Sequence, residues 1–315
     1  MKKTSVVWLL VLCCLAGCGS DTPSLSASRT VLEVGKTPLG LAPAGGGAVL
    51  AACRADGSVW RCRFGAEPAA ERLAVPDHPV RLLRRGSRWF CFHHQPNVLS
   101  VLGGRPPRVI RTVRTGALAV AGGAVRPGTS RLWIADGVSS VRILSANSLK
   151  LAGRIHLGRY PQQVAFTPDG SRALVTLKGA NSLAVIDAVT REPIAEIPVG
   201  VYPRDVLLVG GTACVSNFGS HDVSLVDWRA GKERARVKVR RKPNALAVRD
   251  GTLWVACEDS YRIVGVDLDR GEVVGSVRTG FYPGGLIVLP DGALVVTAPR
   301  RGEVVRLEIQ ARKPS

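Results

Sequence analysis

Residues 240–283 read RRKPNALAVRDGTLWVACEDSYRIVGVDLDRGEVVGSVRTGFYP. Arg240-Arg241-Lys242-Pro243 leads into a short apolar strand, Asn244 to Val248, and Asp250-Gly251 turns the chain. Thr252 to Cys257 is a second strand, Glu258 to Tyr261 a loop, and Arg262 to Val266 a third strand alternating in period two. Asp267 ends it, Asp269-Arg270-Gly271 turns, and Glu272 to Val277 is a fourth strand running into Gly280-Phe281-Tyr282-Pro283. Such a four-stranded antiparallel unit needs neighbours to bury its two faces.

The neighbours are in the sequence. A Gly-x-x-Pro marker recurs at Gly35 to Pro38, Gly158 to Pro161, Gly200 to Pro203 and Gly280 to Pro283. Pro76 to Pro79 and Arg240 to Pro243 keep the proline, and Thr115-Gly116-Ala117 fills the remaining gap. The marker positions 38, 79, 117, 161, 203, 243 and 283 are spaced by 38 to 44 residues. Seven four-stranded units of this length predict an all-β, seven-bladed β-propeller, closed into a ring. The last unit offers Leu286 to Leu289, Leu294 to Ala298 and Glu303 to Ile309, then lacks a fourth strand. Thr30 to Val34 is a spare strand before the first marker, so the N-terminal strand is expected to complete the last blade.

The markers, the turns Pro168-Asp169-Gly170 and Pro290-Asp291-Gly292, and the strands Cys214-Val215-Ser216-Asn217, Trp254-Val255-Ala256-Cys257 and Val185-Ile186-Asp187 resemble YVTN β-propeller repeats. The resemblance spans roughly residues 30 to 310 and is strongest from 155 on. It implies the propeller fold and is nearly silent on function; such propellers include binding modules of the bacterial envelope, with enzymes of similar architecture nearby.

Composition sets outer limits. The chain has 315 residues, 46% hydrophobic and 21% charged, which excludes wholesale disorder. Thirty-five glycines and twenty prolines favour short strands over long helices. Lys2 and Lys3 precede a short apolar run, Val6 to Leu15, that ends in Leu15-Ala16-Gly17-Cys18. This resembles a bacterial lipobox, which implies cleavage before Cys18 and lipid on its thiol. The domain reading is therefore a lipoprotein signal peptide over 1–17, a lipidated small-polar tether over 18–29 and a propeller over 30–315. An ordinary secretory signal carrying a cysteine is the alternative. Lipid on Cys18 would hold the protein to a membrane without a spanning helix. Gly19 after that cysteine favours outer-membrane sorting by the same resemblance. Cys53, Cys62, Cys91, Cys214 and Cys257 remain in the mature chain, an odd number without Cys-x-x-Cys, and are expected to be buried free thiols. The strand register expected for the first unit sets Cys53 opposite Val59.

In a propeller the loops leading into the inner strands, and those between second and third strands, open on one face. Tyr160, Tyr202, Tyr282 and Tyr261 map there, with Arg159, Arg204, Arg240, Arg241 and Lys242. Lys36, Arg81, Arg262, Arg300 and Arg301 lie beside them. Guanidinium forks bind phosphate or carboxylate and tyrosines stack on sugars or bases, so this is a candidate anion-binding face. Packing of each pre-proline tyrosine as repeat consensus is the alternative. His78, His93, His94 and His221 map to the same face, but acids to complete a metal site are scattered among blades. Asp187, Asp227 and Asp267 each end a third strand and read as turn caps. No catalytic set, metal or cofactor is expected. The few polar residues of the inner strands are Gln162, Gln163, Asp205 and Asn244.

The formal net charge is +19. Residues 61–160 hold 17 basic and 4 acidic residues, whereas 161–315 hold 21 and 17. The blades two and three side should be strongly positive and suited to anionic lipid, nucleic acid or an acidic polymer, unless it reflects an arginine-biased composition. The best-supported expectation is a monomeric, envelope-anchored, non-enzymatic binding or scaffold propeller, with an envelope protein among its candidate partners. A nucleic-acid- or polyanion-binding propeller using the Tyr/Arg face, and a lactonase-like hydrolase, are the alternatives.

Overall fold

The computed structural model describes residues 23–94, 97–116 and 120–310. Cys18, the 1–17 segment read as a signal peptide and marker residue Ala117 lie outside the described residues. Seven four-stranded antiparallel sheets form a ring, each blade contacting the next and blade seven contacting blade one. Strands are numbered in chain order, four to a blade counted from the marker proline. Blade six consists of β22 (Pro243–Arg249), β23 (Thr252–Cys257), β24 (Arg262–Asp267) and β25 (Glu272–Arg278). A single 3-10 turn, Glu258–Ser260, joins β23 to β24.

The ring closes as the spare strand requires. Blade seven is β26 (Leu286–Val288), β27 (Leu294–Ala298), β28 (Glu303–Gln310) and, outermost, β1 (Ser26–Glu33). β1 runs antiparallel to β28, from Ser26 opposite Gln310 to Glu33 opposite Glu303. It starts four residues earlier than the hydrophobic pattern indicates, so part of the segment read as tether is fastened. An outermost strand needs backbone pairing but little apolar alternation, and Ser26, Ser28 and Arg29 supply side-chain bonds instead. The Ser28 hydroxyl donates to Glu308 (3.3 Å) and Arg29 Nη1 donates to the Thr279 carbonyl of blade six (2.7 Å). Upstream, the Leu25 N–H donates to the Ser276 carbonyl at 2.8 Å. The Leu25 side chain lies where a Cβ on Gly275 would stand, 2.8 Å away.

Apolar clusters fill the gaps between adjacent blades. Phe90, Phe92 and Leu99 of blade two meet Leu132, Ile134 and Leu144 of blade three, and the Trp133 ring meets Phe166 edge-on at 5.2 Å. At particular inner-strand positions adjacent blades approach too closely for a side chain. A Cβ on Gly285 would sit 2.2 Å from the Leu39 carbonyl oxygen of blade one. Hydroxyls on second strands stitch neighbouring blades there. Thr176 accepts from the Gln163 N–H of its own blade (3.1 Å) and donates to the Arg204 carbonyl of the next (3.3 Å). Ser216 does the same between Asp205 and Asn244, at 3.0 and 3.1 Å.

The five described cysteines are free and buried. Burial pushes the Cys53, Cys214 and Cys257 thiols up to about 12. The register differs by one residue from the sequence reading: Cys53 faces Ser58, and Cys62 faces Val49. The cause is the 3-10 turn Arg54–Asp56, which leaves Gly57 to close the hairpin. Among the described residues no helix is long and apolar enough to cross a membrane.

Candidate functional site

The marker proline fixes how each blade faces the axis. The residue before it is Thr37, His78, Tyr160, Tyr202 or Lys242, with φ between 53° and 57°. This left-handed conformation turns its carbonyl toward the end of the second strand. There it accepts a backbone N–H, as from Phe218 to Tyr202 (3.0 Å) and from Glu258 to Lys242 (2.9 Å). Just after the proline the ladder slips. Pro161 pairs with Leu177, yet the next pair is Val164 with Val175. Pro203 and Pro243 are followed by the same slip. The two freed residues form a bulge whose side chains turn inward. In blades four, five and six these are Gln162-Gln163, Arg204-Asp205 and Asn244-Ala245.

These residues line a central cavity of about 560 Å³. Arg81 of β6 (Pro79–Arg85) joins them, as do Arg54 and His94 from the loops between second and third strands of blades one and two. All four inner-strand polar residues expected near the axis line this cavity. Asp205 is its one carboxylate. Oδ1 accepts from its neighbour Val206 N–H and Oδ2 from Leu246 N–H of the next blade, both at 3.1 Å. Arg81 Nη1 stands 4.0 Å from Oδ1. Burial pushes the Asp205 carboxyl above its usual range, opposed first by the Arg81 charge. Arg204 is enclosed by the ring yet exposed to the water of the channel. Its guanidinium carbon lies 4.9 Å from the Phe218 ring centre. Enclosure lowers its pKa from the ordinary arginine value, and Glu258 partly offsets this.

Two of the four tyrosines are in ring contact. Tyr261 and Tyr282 meet, with hydroxyls hydrogen-bonded at 2.7 Å and ring centres 4.5 Å apart. Arg300 lies 3.5 Å above the Tyr282 ring. Tyr160 and Tyr202 are each about half exposed and lie over Gly179 and Gly219 of their own blades. A Cβ on Gly179 would meet the Tyr160 ring at 2.9 Å, so these two tyrosines serve the repeat as well as the face. Among the basic candidates, Arg159 pairs with Glu196 (3.0 Å) and Lys242 with Asp259 (2.7 Å). Arg241 is exposed and Arg240 half-buried.

Two other candidate groups resolve structurally. His93 is fully buried at the end of a second strand, not on the face. Its Nδ1 lies 3.1 Å from the Asp77 carbonyl and burial holds its pKa below 6.5. Asp187, Asp227 and Asp267 cap turns, each Oδ1 accepting two backbone N–H groups, as from Val189 (2.8 Å) and Thr190 (3.0 Å) to Asp187. Among the described residues no three His, Cys, Asp or Glu side chains gather to hold a metal. Arg54 was not legible as a site residue, because its position depends on the 3-10 turn.

No protein-family model matches this chain, and no curated protein does. Solved structures match it closely in shape. Kuenenia stuttgartiensis hydrazine synthase aligns with a TM-score of 0.77 at 16% identity, over 95% of this chain and 99% of that one. A streptogramin B lyase aligns at 0.76 and 14% identity, over 90% and 98%. Virginiamycin B lyase from Staphylococcus aureus aligns at 0.78 and 12% identity, over 90% and 100%. At these identities the similarity establishes the seven-bladed propeller fold alone.

Proposed function

We propose that this chain is a lipid-anchored binding propeller of the bacterial envelope, taking a small carboxylate or phosphate at the mouth of its channel. The channel chemistry carries the reading. Arg54, Arg81 and Arg204 line one cavity whose single carboxylate already accepts two backbone N–H groups. The surplus positive charge sits in a concave site with low-dielectric walls, where it attracts anions more strongly than on an open surface. Asn244, Gln162 and His94 add hydrogen-bonding groups around the same space. The anchor rests on the lipobox-like Leu15-Ala16-Gly17-Cys18.

The test is calorimetric titration of a chain starting at Asp21 with citrate and with glucose 6-phosphate, repeated on Arg81→Gln/Arg204→Gln. Charge-assisted hydrogen bonds contribute about 1.5–3 kcal/mol each, so the double variant should bind at least about tenfold more weakly. Equal binding by both proteins, or by neither, would remove the channel from the proposal. Mass spectrometry of the mature N-terminus, with Cys18→Ser as control, tests the anchor.

A further inference from the structure

We infer that the rim of blades two and three is a docking surface for an acidic polysaccharide, held on the side of the ring furthest from the lipid anchor. The orientation rests on the proposed lipidation of Cys18; the docking does not.

The surface is unusual in what it lacks. From residue 78 to residue 168 the chain carries fourteen arginines and lysines and one acid, Asp136. That acid is occupied: Oδ1 accepts the N–H groups of Val138, Ser139 and Ser140 at 3.0, 2.8 and 2.8 Å. The outer strands of the two blades are β9 (Arg108–Arg114) and β13 (Leu151–His156). Arg108, Arg111, Arg114 and Arg154 on them are exposed, and none has an ion-pair partner among the described residues. Like charges gathered on one side of the ring with a single acid among them repel, and an acidic partner relieves that cost.

A second observation points the same way. Arg142 lies directly across the sheet from Arg154, on the strand face that Leu144 turns toward blade two. It is only 8% exposed, and its Nε has no hydrogen-bond partner. Its pKa is lowered by burial and by the Arg154 charge, opposed by the Asp136 carboxylate. Buried polar groups are almost always satisfied, so a covered guanidinium nitrogen without an acceptor marks a place for one. An anionic group entering the junction of blades two and three supplies it.

The kind of partner follows from the neighbours of these arginines. The exposed large apolar residues on β9 and β13 are Ile110 (47%) and Leu151 (58%), neither aromatic. Single-stranded nucleic acids hold their bases by stacking on aromatic rings, which this rim does not offer. Guanidinium forks match carboxylates bidentately, and aliphatic side chains suit the C–H faces of sugar rings.

The leash then sets the orientation. Residues 24 to 29 are fastened to the outer strands of blades six and seven. From Cys18 to Pro23 an extended chain reaches at most about 17 Å. The lipid is therefore held at the rim where blades six and seven meet. Seven blades share a full turn, about 51° each, which puts blade three diametrically across the ring and blade two beside it.

Full-length protein would be measured in detergent and on phosphatidylcholine vesicles, with polygalacturonate as probe and oligothymidylate as comparator. The variant is Arg108→Gln/Arg111→Gln/Arg114→Gln/Arg154→Gln, whose exposed positions leave the melting temperature as a folding control. Polygalacturonate should bind equally well in both settings and at least about tenfold more weakly to the variant. The salt slope should fall by up to about one per arginine removed. No binding, binding indifferent to the variant, or tighter binding of oligothymidylate would overturn the docking. Binding in detergent that is lost on vesicles would overturn the orientation. Cys18→Ser separates the two readings: if it floats with vesicles as the natural chain does, the anchor fails while docking in detergent still stands or falls by itself.

Discussion

Replacing Leu32 by alanine tests whether the N-terminal strand holds the ring shut. Leu32 is fully buried in the cluster between blades seven and one, with Leu41, Val49, Leu289, Val295 and Val304. Truncating such a leucine costs about 2–5 kcal/mol, the transfer of its carbons plus the cavity left behind. Its neighbour Val31 points to the other face of β1 and is only half-buried, against blade six. Removing its methyl groups should cost about 1 kcal/mol. The pair controls for backbone effects, because both residues sit on one strand with the same partner, β28. Urea unfolding of the chain starting at Asp21, followed by tryptophan fluorescence, gives both values on one scale. A loss below about 1 kcal/mol for Leu32→Ala, or equal losses for the two, would refute the seating of β1 in blade seven.

Two further outcomes follow from the geometry. Gly285→Ala would drive a Cβ to 2.2 Å from the Leu39 carbonyl, a backbone atom that cannot rotate away. The melting curve should show a loss of about 1–3 kcal/mol, and an unchanged melt would mean that the inner strands are further apart than described. His93 has its pKa held below 6.5 by burial, so the unfolded chain binds its proton more readily. The stability this histidine contributes is complete above pH 6.5 and is lost as pH falls through the folded value, at up to about 1.4 kcal/mol per pH unit. His93→Phe should show a shallower loss of stability between neutral and acidic pH; identical slopes would sink the assignment.

Much of the architecture was readable because the repeat couples a local rule to a global one. The marker proline, the turn glycines and the aspartates that end third strands are each required by backbone geometry, so they recur at fixed spacing. The extent of β1 was not readable. Ser26, Ser28 and Arg29 look like tether, and only their cross-strand partners Gln310, Glu308 and Leu307 make them a strand. The Cys53 register failed because the 3-10 turn and Gly57 close the hairpin in four residues, one fewer than the reading allowed, so Ser58 joins the ladder. On the candidate face, spacing alone does not say which side chains meet. Tyr261 and Tyr282 touch because their loops adjoin across the blade boundary, while Arg204 leaves the tyrosines for the channel. His93 and His94 are adjacent in sequence, yet the alternation of a strand end buries the first and leaves the second on the cavity wall.

The left-handed residue before the marker proline has an evolutionary consequence. Thr37, His78, Tyr160, Tyr202 and Lys242 share one backbone geometry yet carry a hydroxyl, an imidazole, two phenols and an ammonium. A non-glycine residue in that region costs on the order of 1–3 kcal/mol, more for the β-branched Thr37 and less for His78. Mutation among unbranched residues there changes the chemistry displayed around the ring while keeping one backbone geometry. Five blades thereby offer one such variable position each on a shared frame, and new specificities can arise there by single substitutions.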